Sequence, residues 1–242
     1  MSQQIEAACK NCQTTLVGPY CHQCGRDQHL HRIDAHFIWH EMSHVLHLEK
    51  GIFYTIRELS LRPSKTIRTF LDEDRHRLVK PLLFLILCSL LYNLVDYVWP
   101  MPHSNTPSVA LTTETKIWAW VAGHFGYANF LMSIPIAICL RAVFWRQRYN
   151  VFEIWVMLAY IMGLVMLFLS IFPPLRALNL PFPHLTDIIR VLSLLFVTLA
   201  LAACFDGPRW WSIVKTAVAY VLGMFLFSGM VFVAGWMIDH LH

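Results

Sequence analysis

The sequence predicts an all-α, multi-pass membrane protein: five transmembrane helices behind a small N-terminal zinc ribbon and cytoplasmic amphipathic helices. Three observations lead there. Hydrophobic residues make up 57% of the 242 and charged residues 14%, against about 45–50% and about 25% in soluble domains. Charge is also unevenly placed, with 11 Lys and Arg and 9 Asp and Glu in residues 1–80 but only 8 and 6 in residues 81–242. Finally, Cys9, Cys12, Cys21 and Cys24 form a C-x2-C-x8-C-x2-C array. The boundaries follow as 1–27 for the ribbon, 28–80 for the amphipathic segment and 81–242 for the membrane domain. A net charge of +4, spread along the chain, forms no stripe for nucleic acid, and none is expected as a partner.

In the ribbon, each C-x-x-C turn places two thiolates on one side of a tight knuckle, and two knuckles supply four sulfurs for a structural Zn2+. Val17-Gly18-Pro19 turns the chain between them, and Gly25 follows Cys24 where the backbone must turn under the metal. So short a segment has little core, so the metal must supply most of its folding energy. Two disulfides would need an oxidising compartment. A rubredoxin-like iron centre would use the same four thiolates. Cys88, Cys139 and Cys204 stand alone in apolar runs and read as small buried side chains.

Residues 33–48 read as a helix carrying His36, His40, His44 and His47 on one stripe, with Ile33, Phe37, Val45 and Leu48 off it. Within it, His40-Glu41-Met42-Ser43-His44 matches the H-E-x-x-H pattern of zinc hydrolases, in which two His one turn apart bind metal and the Glu polarises a water. No third ligand stands at a recognisable spacing. Six of the 19 residues from His29 to His47 are His, so composition alone favours such a match. The stripe reads first as an interfacial face and second as a noncatalytic metal site at His40 and His44. After Gly51, the residues Phe53, Ile56 and Leu59 keep helical spacing to Leu61, and Pro63 opens a further helix that Ser64 can cap. The basic run from Arg75 to Lys80 then reads as a positive-inside anchor touching anionic lipid.

The five spans are expected at residues 81–99, 120–140, 152–172, 188–205 and 213–238, each long enough to cross a bilayer. Pro-rich or charged breaks such as Trp99-Pro100-Met101-Pro102 separate them. Trp99, Trp118, Trp120, Trp145, Trp155, Trp210, Trp211 and Trp236 fall near their ends, where indoles prefer the headgroup level. A cytoplasmic N-terminus puts sixteen Lys and Arg inside and leaves only Lys116, Arg176 and Arg190 outside. Nothing before residue 80 has the basic start and apolar core of a signal peptide, and five spans place the C-terminus outside. Asn93, Asp96, His124, Asn129, Glu153, Asp187 and Arg190 are the polar groups that lipid would penalise. Of these, Asp96, His124 and Arg190 are the candidates for a polar site in the outer half of the membrane. Gly123 and Gly126 beside His124, and Gly163, suggest close helix approach.

Taken in order, Cys9-x-x-Cys12, Cys21-x-x-Cys24-Gly25, Gly51, Thr55, Leu59, Arg62-Pro63, Phe70-Leu71, Arg75 and Pro81 resemble an uncharacterised bacterial membrane family, with residues 9–81 carrying the likeness. Its members pair an N-terminal zinc ribbon with an Arg-Pro…Arg…Pro segment ahead of the first span. The chain departs from it at Arg26, where Gln is usual, and at Glu73-Asp74, where Gly-Lys is usual. The resemblance implies a bacterial inner membrane and no particular reaction. The leading expectation is a non-enzymatic membrane protein whose ribbon and amphipathic helices contact a cytoplasmic protein partner. The bilayer surrounds the anchor, and self-association is open. A transporter or membrane sensor using the outer polar cluster is the alternative, and a zinc hydrolase through His40-Glu41-x-x-His44 the third reading.

Overall fold

A computed structural model describes residues 9, 12–15, 20–25, 51–75, 77–99, 113–177 and 185–241. The histidine helix, with His40 and His44, lies outside the described residues, as do the side chains of Asp187 and Arg190. What is described is dominated by helices. A hairpin of two amphipathic helices, α1 (Ile52–Leu61) and α2 (Pro63–Asp72), precedes α3 (Pro81–Val98). The bundle continues with α4 (Thr113–Gly123), α5 (Phe125–Val143), α6 (Val151–Leu169), the short α7 (Phe172–Ala177), α8 (Leu185–Ala202) and α9 (Arg209–Leu241).

The hairpin turns at Arg62 because Pro63 follows it. A residue before proline is driven out of the helical region, and Arg62 sits at φ −146°, ψ 60°. Pro63 has no N–H to leave unpaired at the first position of α2. The expected cap at Ser64 is therefore corrected: the helix begins two residues earlier, at Pro63, and its N-cap Arg62 has no side-chain cap. Thr66 ties the turn instead, its hydroxyl donating to the carbonyls of Arg62 at 2.8 Å and Glu58 at 3.2 Å. The apolar residues at helical spacing in α1 are not all turned inward. Thr55 and Leu59 are buried, Ile56 is half-buried, and Phe53 is 86% exposed.

Thr55 is buried because it holds the connector that follows α2. The Val79 N–H donates to Thr55 Oγ1 at 3.0 Å, and the Tyr160 hydroxyl on α6 donates to the Val79 carbonyl at 2.8 Å. The Tyr160 ring is fully buried, edge-on to Phe70 at 5.3 Å and tilted against Phe84 at 5.9 Å. One residue of extended chain is thus held on both sides at the entry to α3, and the hairpin is fixed to the bundle. Tyr160→Phe keeps the ring but leaves a buried carbonyl without its donor, a loss of about 1–3 kcal/mol. A lower unfolding temperature than wild type in the same detergent is the expected result; no change would mean that another donor replaces the hydroxyl.

Helix α6 is the centre, packing against α1, α2, α3, α5, α7 and α8. Its apolar stretch is 72% buried inside the molecule, against 22% for that of α9, as expected for a helix hydrophobic on all sides. A reciprocal capping box opens it: Glu153 N–H donates to Asn150 Oδ1, and Asn150 N–H to Glu153 Oε2, both at 2.8 Å. Glu153 is therefore a capping residue at the end of a span and not a charge adrift in hydrocarbon.

Four described helical stretches are long and apolar enough to cross a membrane: Pro81–Val98, Gly126–Val143, Val151–Leu175 and Arg209–His240. A fifth apolar stretch, Val191–Ala202, is shorter. The span expected at 120–140 is broken at His124, so the apolar run divides between the end of α4 and α5. The run expected at 188–205 loses its helical geometry after Ala202, where Asp206-Gly207-Pro208 ends it and Phe205 stacks on Phe144 at 3.9 Å. Large apolar side chains such as Leu94, Val191 and Phe225 remain exposed around the bundle, as lipid-facing residues would. Trp145, Trp210, Trp211 and Trp236 are exposed. Trp155 departs from the expected interfacial set: it is buried, and its indole N–H donates to Ser133 Oγ at 2.8 Å.

The loops rich in Lys and Arg meet at the hairpin end of the bundle. Arg68 of α2 pairs with Asp206 at 3.0 Å and donates to the Ala203 carbonyl at 3.3 Å. Arg148 pairs with Asp72 and donates to the Tyr149 hydroxyl at 2.9 Å, while Gln147 donates to the Asp206 carbonyl at 2.7 Å. At the far end, the Thr113 N–H donates to Asp239 at 3.1 Å, joining the start of α4 to the end of α9.

Candidate metal centre

The two knuckles share one backbone device. Gln13 N–H donates to the Cys9 carbonyl at 2.9 Å, and Gly25 N–H to the Cys21 carbonyl at 2.8 Å, so each turn closes on its first cysteine. Both donors lie in the left-handed region, Gln13 at φ +61° and Gly25 at φ +68°. Gly25 was legible as the residue suited to this conformation; Gln13 was not, because a side chain there works against the usual preference. Cys9 N–H also donates to the Thr14 carbonyl at 2.8 Å, which folds the chain back after the first knuckle.

This geometry gathers the thiols. Cys9 and Cys24 sulfurs are 3.6 Å apart, Cys12 and Cys21 3.5 Å, Cys12 and Cys24 3.6 Å, and all four lie within 4.8 Å of one another. Four sulfurs at 2.3 Å from a central ion form a tetrahedron with edges of about 3.8 Å. A disulfide needs about 2.05 Å, and no disulfide joins any of the four. Cys9 and Cys21 are buried, Cys12 is half-buried and Cys24 exposed. The Cys12 thiol is lowered from 9.0 to about 6, chiefly by the Thr14 side chain and then by the Thr14 backbone. That favours the thiolate a metal requires. The cluster could hold a metal ion. Four thiolates fill a tetrahedral shell and leave no position for water or substrate, so the chemistry on offer is structural.

The other residues singled out from sequence sit on different elements. Asp96 is half-buried near the end of α3, and Arg190 lies on α8. His124 is exposed at the α4–α5 break, where its ring stacks on Trp120 at 4.8 Å and its Nδ1 is 3.0 Å from the Trp120 carbonyl. That is a helix-end arrangement within one turn of chain. Gly126 does mark a close approach, since a Cβ there would lie 2.9 Å from Asn93 Nδ2 and Ser89 Cβ. Gly163 does so too, with Phe84 at 3.0 Å, whereas Gly123 faces open space.

A family model described as "Protein of unknown function (DUF3667)" matches residues 49–93. The matched segment covers α1, α2, the connector held at Val79 and most of α3, and it begins after the cysteine cluster. No curated protein and no solved structure matches the chain.

Proposed function

We propose that this chain is a non-enzymatic protein of a bacterial inner membrane, in which a zinc ribbon and the α1–α2 hairpin form a cytoplasmic interaction or regulatory module on a five-pass anchor. The observation that carries it is the gathering of four cysteine sulfurs within 4.8 Å of one another. Zinc suits an all-thiolate tetrahedron that lacks an open position and needs no redox partner. The hairpin is fixed to the bundle through Val79, so a partner bound to the ribbon side would be held at the membrane surface.

Five crossings are supported by where α8 ends. Helix α6 starts at the hairpin end, where Asn150 and Arg148 lie, and runs away from it for 19 residues. The chain is back at that end at Ala203 and Asp206, against Arg68 and Gln147. Helix α8, 18 residues and about 27 Å long, is the return. Convergence of the basic loops on this end supports placing it in the cytoplasm. Reporter fusions after residue 30 and after His242 are expected to report opposite sides of the membrane; the same side at both ends would sink the five-pass arrangement. Purified protein is expected to carry one zinc per chain. Two would direct attention to His40 and His44, and none would overturn the ribbon.

A further inference from the structure

The segment matched by the family model builds a cavity at the hairpin end that plays no part in the metal centre. It measures about 160 Å³ and lies among α1, α2 and the connector, with Phe70 in its wall. Three cations line it: Arg62 from the turn, Lys65 from α2 and Arg77 from the connector. All three are exposed at the rim. The ion pairs described at this end use Arg68 and Arg148, and these three cations take part in neither. Two carboxylates, Glu58 and Asp74, share the cavity, and the Arg77 guanidinium lies 6.0 Å over the ring of Tyr54. The Thr66 hydroxyl, bonded to the Arg62 and Glu58 carbonyls, fixes the backbone of the turn that carries one cation and one carboxylate.

A simple anion would gain from three cations but meet two carboxylates in the same cavity, and a simple cation would meet the reverse. A ligand carrying both signs close together satisfies both sets. The level in the bilayer also bears on the choice. Leu78 lines the cavity three residues before Pro81 opens the first apolar stretch, so the cavity lies at headgroup depth. Beside it, α1 exposes Phe53 at 86% and Leu61 at 67%, two apolar side chains on one face of an amphipathic helix, as an interfacial helix presents to lipid.

We infer that this cavity binds a zwitterionic phosphate ester, its phosphate held by Arg62, Lys65 and Arg77 and its ammonium directed to Glu58. The ethanolamine headgroup of a phospholipid is one source of that chemistry and soluble phosphoethanolamine another. Guanidinium and ammonium donors suit phosphate oxygens through charge-assisted hydrogen bonds, and a primary ammonium can donate to a carboxylate.

The test uses the full chain, purified and delipidated in detergent, with binding of phosphatidylethanolamine and phosphatidylglycerol followed by native mass spectrometry. The ethanolamine lipid is expected to bind about tenfold more tightly, the worth of one charge-assisted hydrogen bond. Arg62→Gln and Arg77→Gln should each weaken it about tenfold; both side chains are exposed, so folding should persist, and an unchanged melting temperature verifies this. Glu58→Gln should weaken the ethanolamine lipid while strengthening phosphatidylglycerol, a reversal that general loss of structure cannot produce. Lys116→Gln, on α4, should change neither. Displacement of the lipid by millimolar phosphoethanolamine would identify the headgroup alone as sufficient, and failure to displace it would identify the intact lipid as the ligand. Equal binding of the two lipids by the wild type, or ethanolamine-lipid binding unchanged in both Arg77→Gln and Glu58→Gln, overturns the inference.

Discussion

Cys9→Ser or Cys24→Ser is expected to abolish tight metal binding and loosen residues 1–27 while the helical bundle stays intact. The asymmetry follows from how each part is held. A segment this short has too few apolar side chains to order itself, so metal binding and folding are one event, worth on the order of 10–16 kcal/mol in zinc-finger peptides. The bundle satisfies its backbone within its helices and buries α6 among its neighbours. Replacing one of four thiolates by a hydroxyl removes a soft ligand that zinc strongly prefers. Metal analysis should fall from one equivalent to near zero, and limited proteolysis should cut newly before residue 30 with the spans unaffected. If Cys9→Ser keeps stoichiometric metal and the wild-type cleavage pattern, the four-thiol site is wrong and His40 and His44 become the place to look.

The cysteine cluster was legible because its chemistry is local. Two C-x-x-C turns, each closing on itself through a main-chain hydrogen bond to its first cysteine, need no distant residue to form, so spacing alone reveals them. Gln13 was invisible for the same reason in reverse: its left-handed backbone is imposed by the knuckle and leaves no mark in its side-chain type. The long apolar runs were equally plain. Their ends were less so, because apolar composition runs past the last helical residue wherever tertiary contacts take over, as at Ala203–Phe205, where the ring of Phe205 continues the apolar pattern while packing on Phe144.

Contacts between distant segments were the illegible part. Thr55 reads as an ordinary polar residue in an amphipathic helix until Val79, 24 residues on, presents its N–H. Tyr160 reads as one aromatic among many in a span until its hydroxyl meets the carbonyl of that same residue, 81 positions earlier. The mixed-charge cavity was hidden in the same way. Glu58, Lys65 and Arg77 fall on three separate elements, and only the Arg62-Pro63 turn and the clamp on Val79 bring them around one space.

Gly223→Ala should destabilise the bundle markedly, although it adds one methyl group and raises helix propensity. Helix α9 crosses α5 so closely at this point that a Cβ on Gly223 would lie 2.6 Å from Ile136 Cα and 3.0 Å from its nitrogen. Those are backbone atoms, so no rotamer change can relieve the contact and the helices must move apart. Overpacking of this kind costs about 1–3 kcal/mol, set against the roughly 0.5–1 kcal/mol that alanine gains over glycine inside a helix. The steric cost wins because α5 and α9 share an extensive interface, and within a membrane such interfaces rest on close van der Waals packing more than on the hydrophobic effect. Gly229, six residues further along α9, supplies the control. A Cβ there meets nothing within 4 Å, so Gly229→Ala should leave stability unchanged or raise it. In one detergent the unfolding temperature of Gly223→Ala should therefore fall below wild type while that of Gly229→Ala does not. Equal shifts would mean that α5 and α9 do not approach at Ile136 as described, and that the glycines of α9 act only through helix propensity.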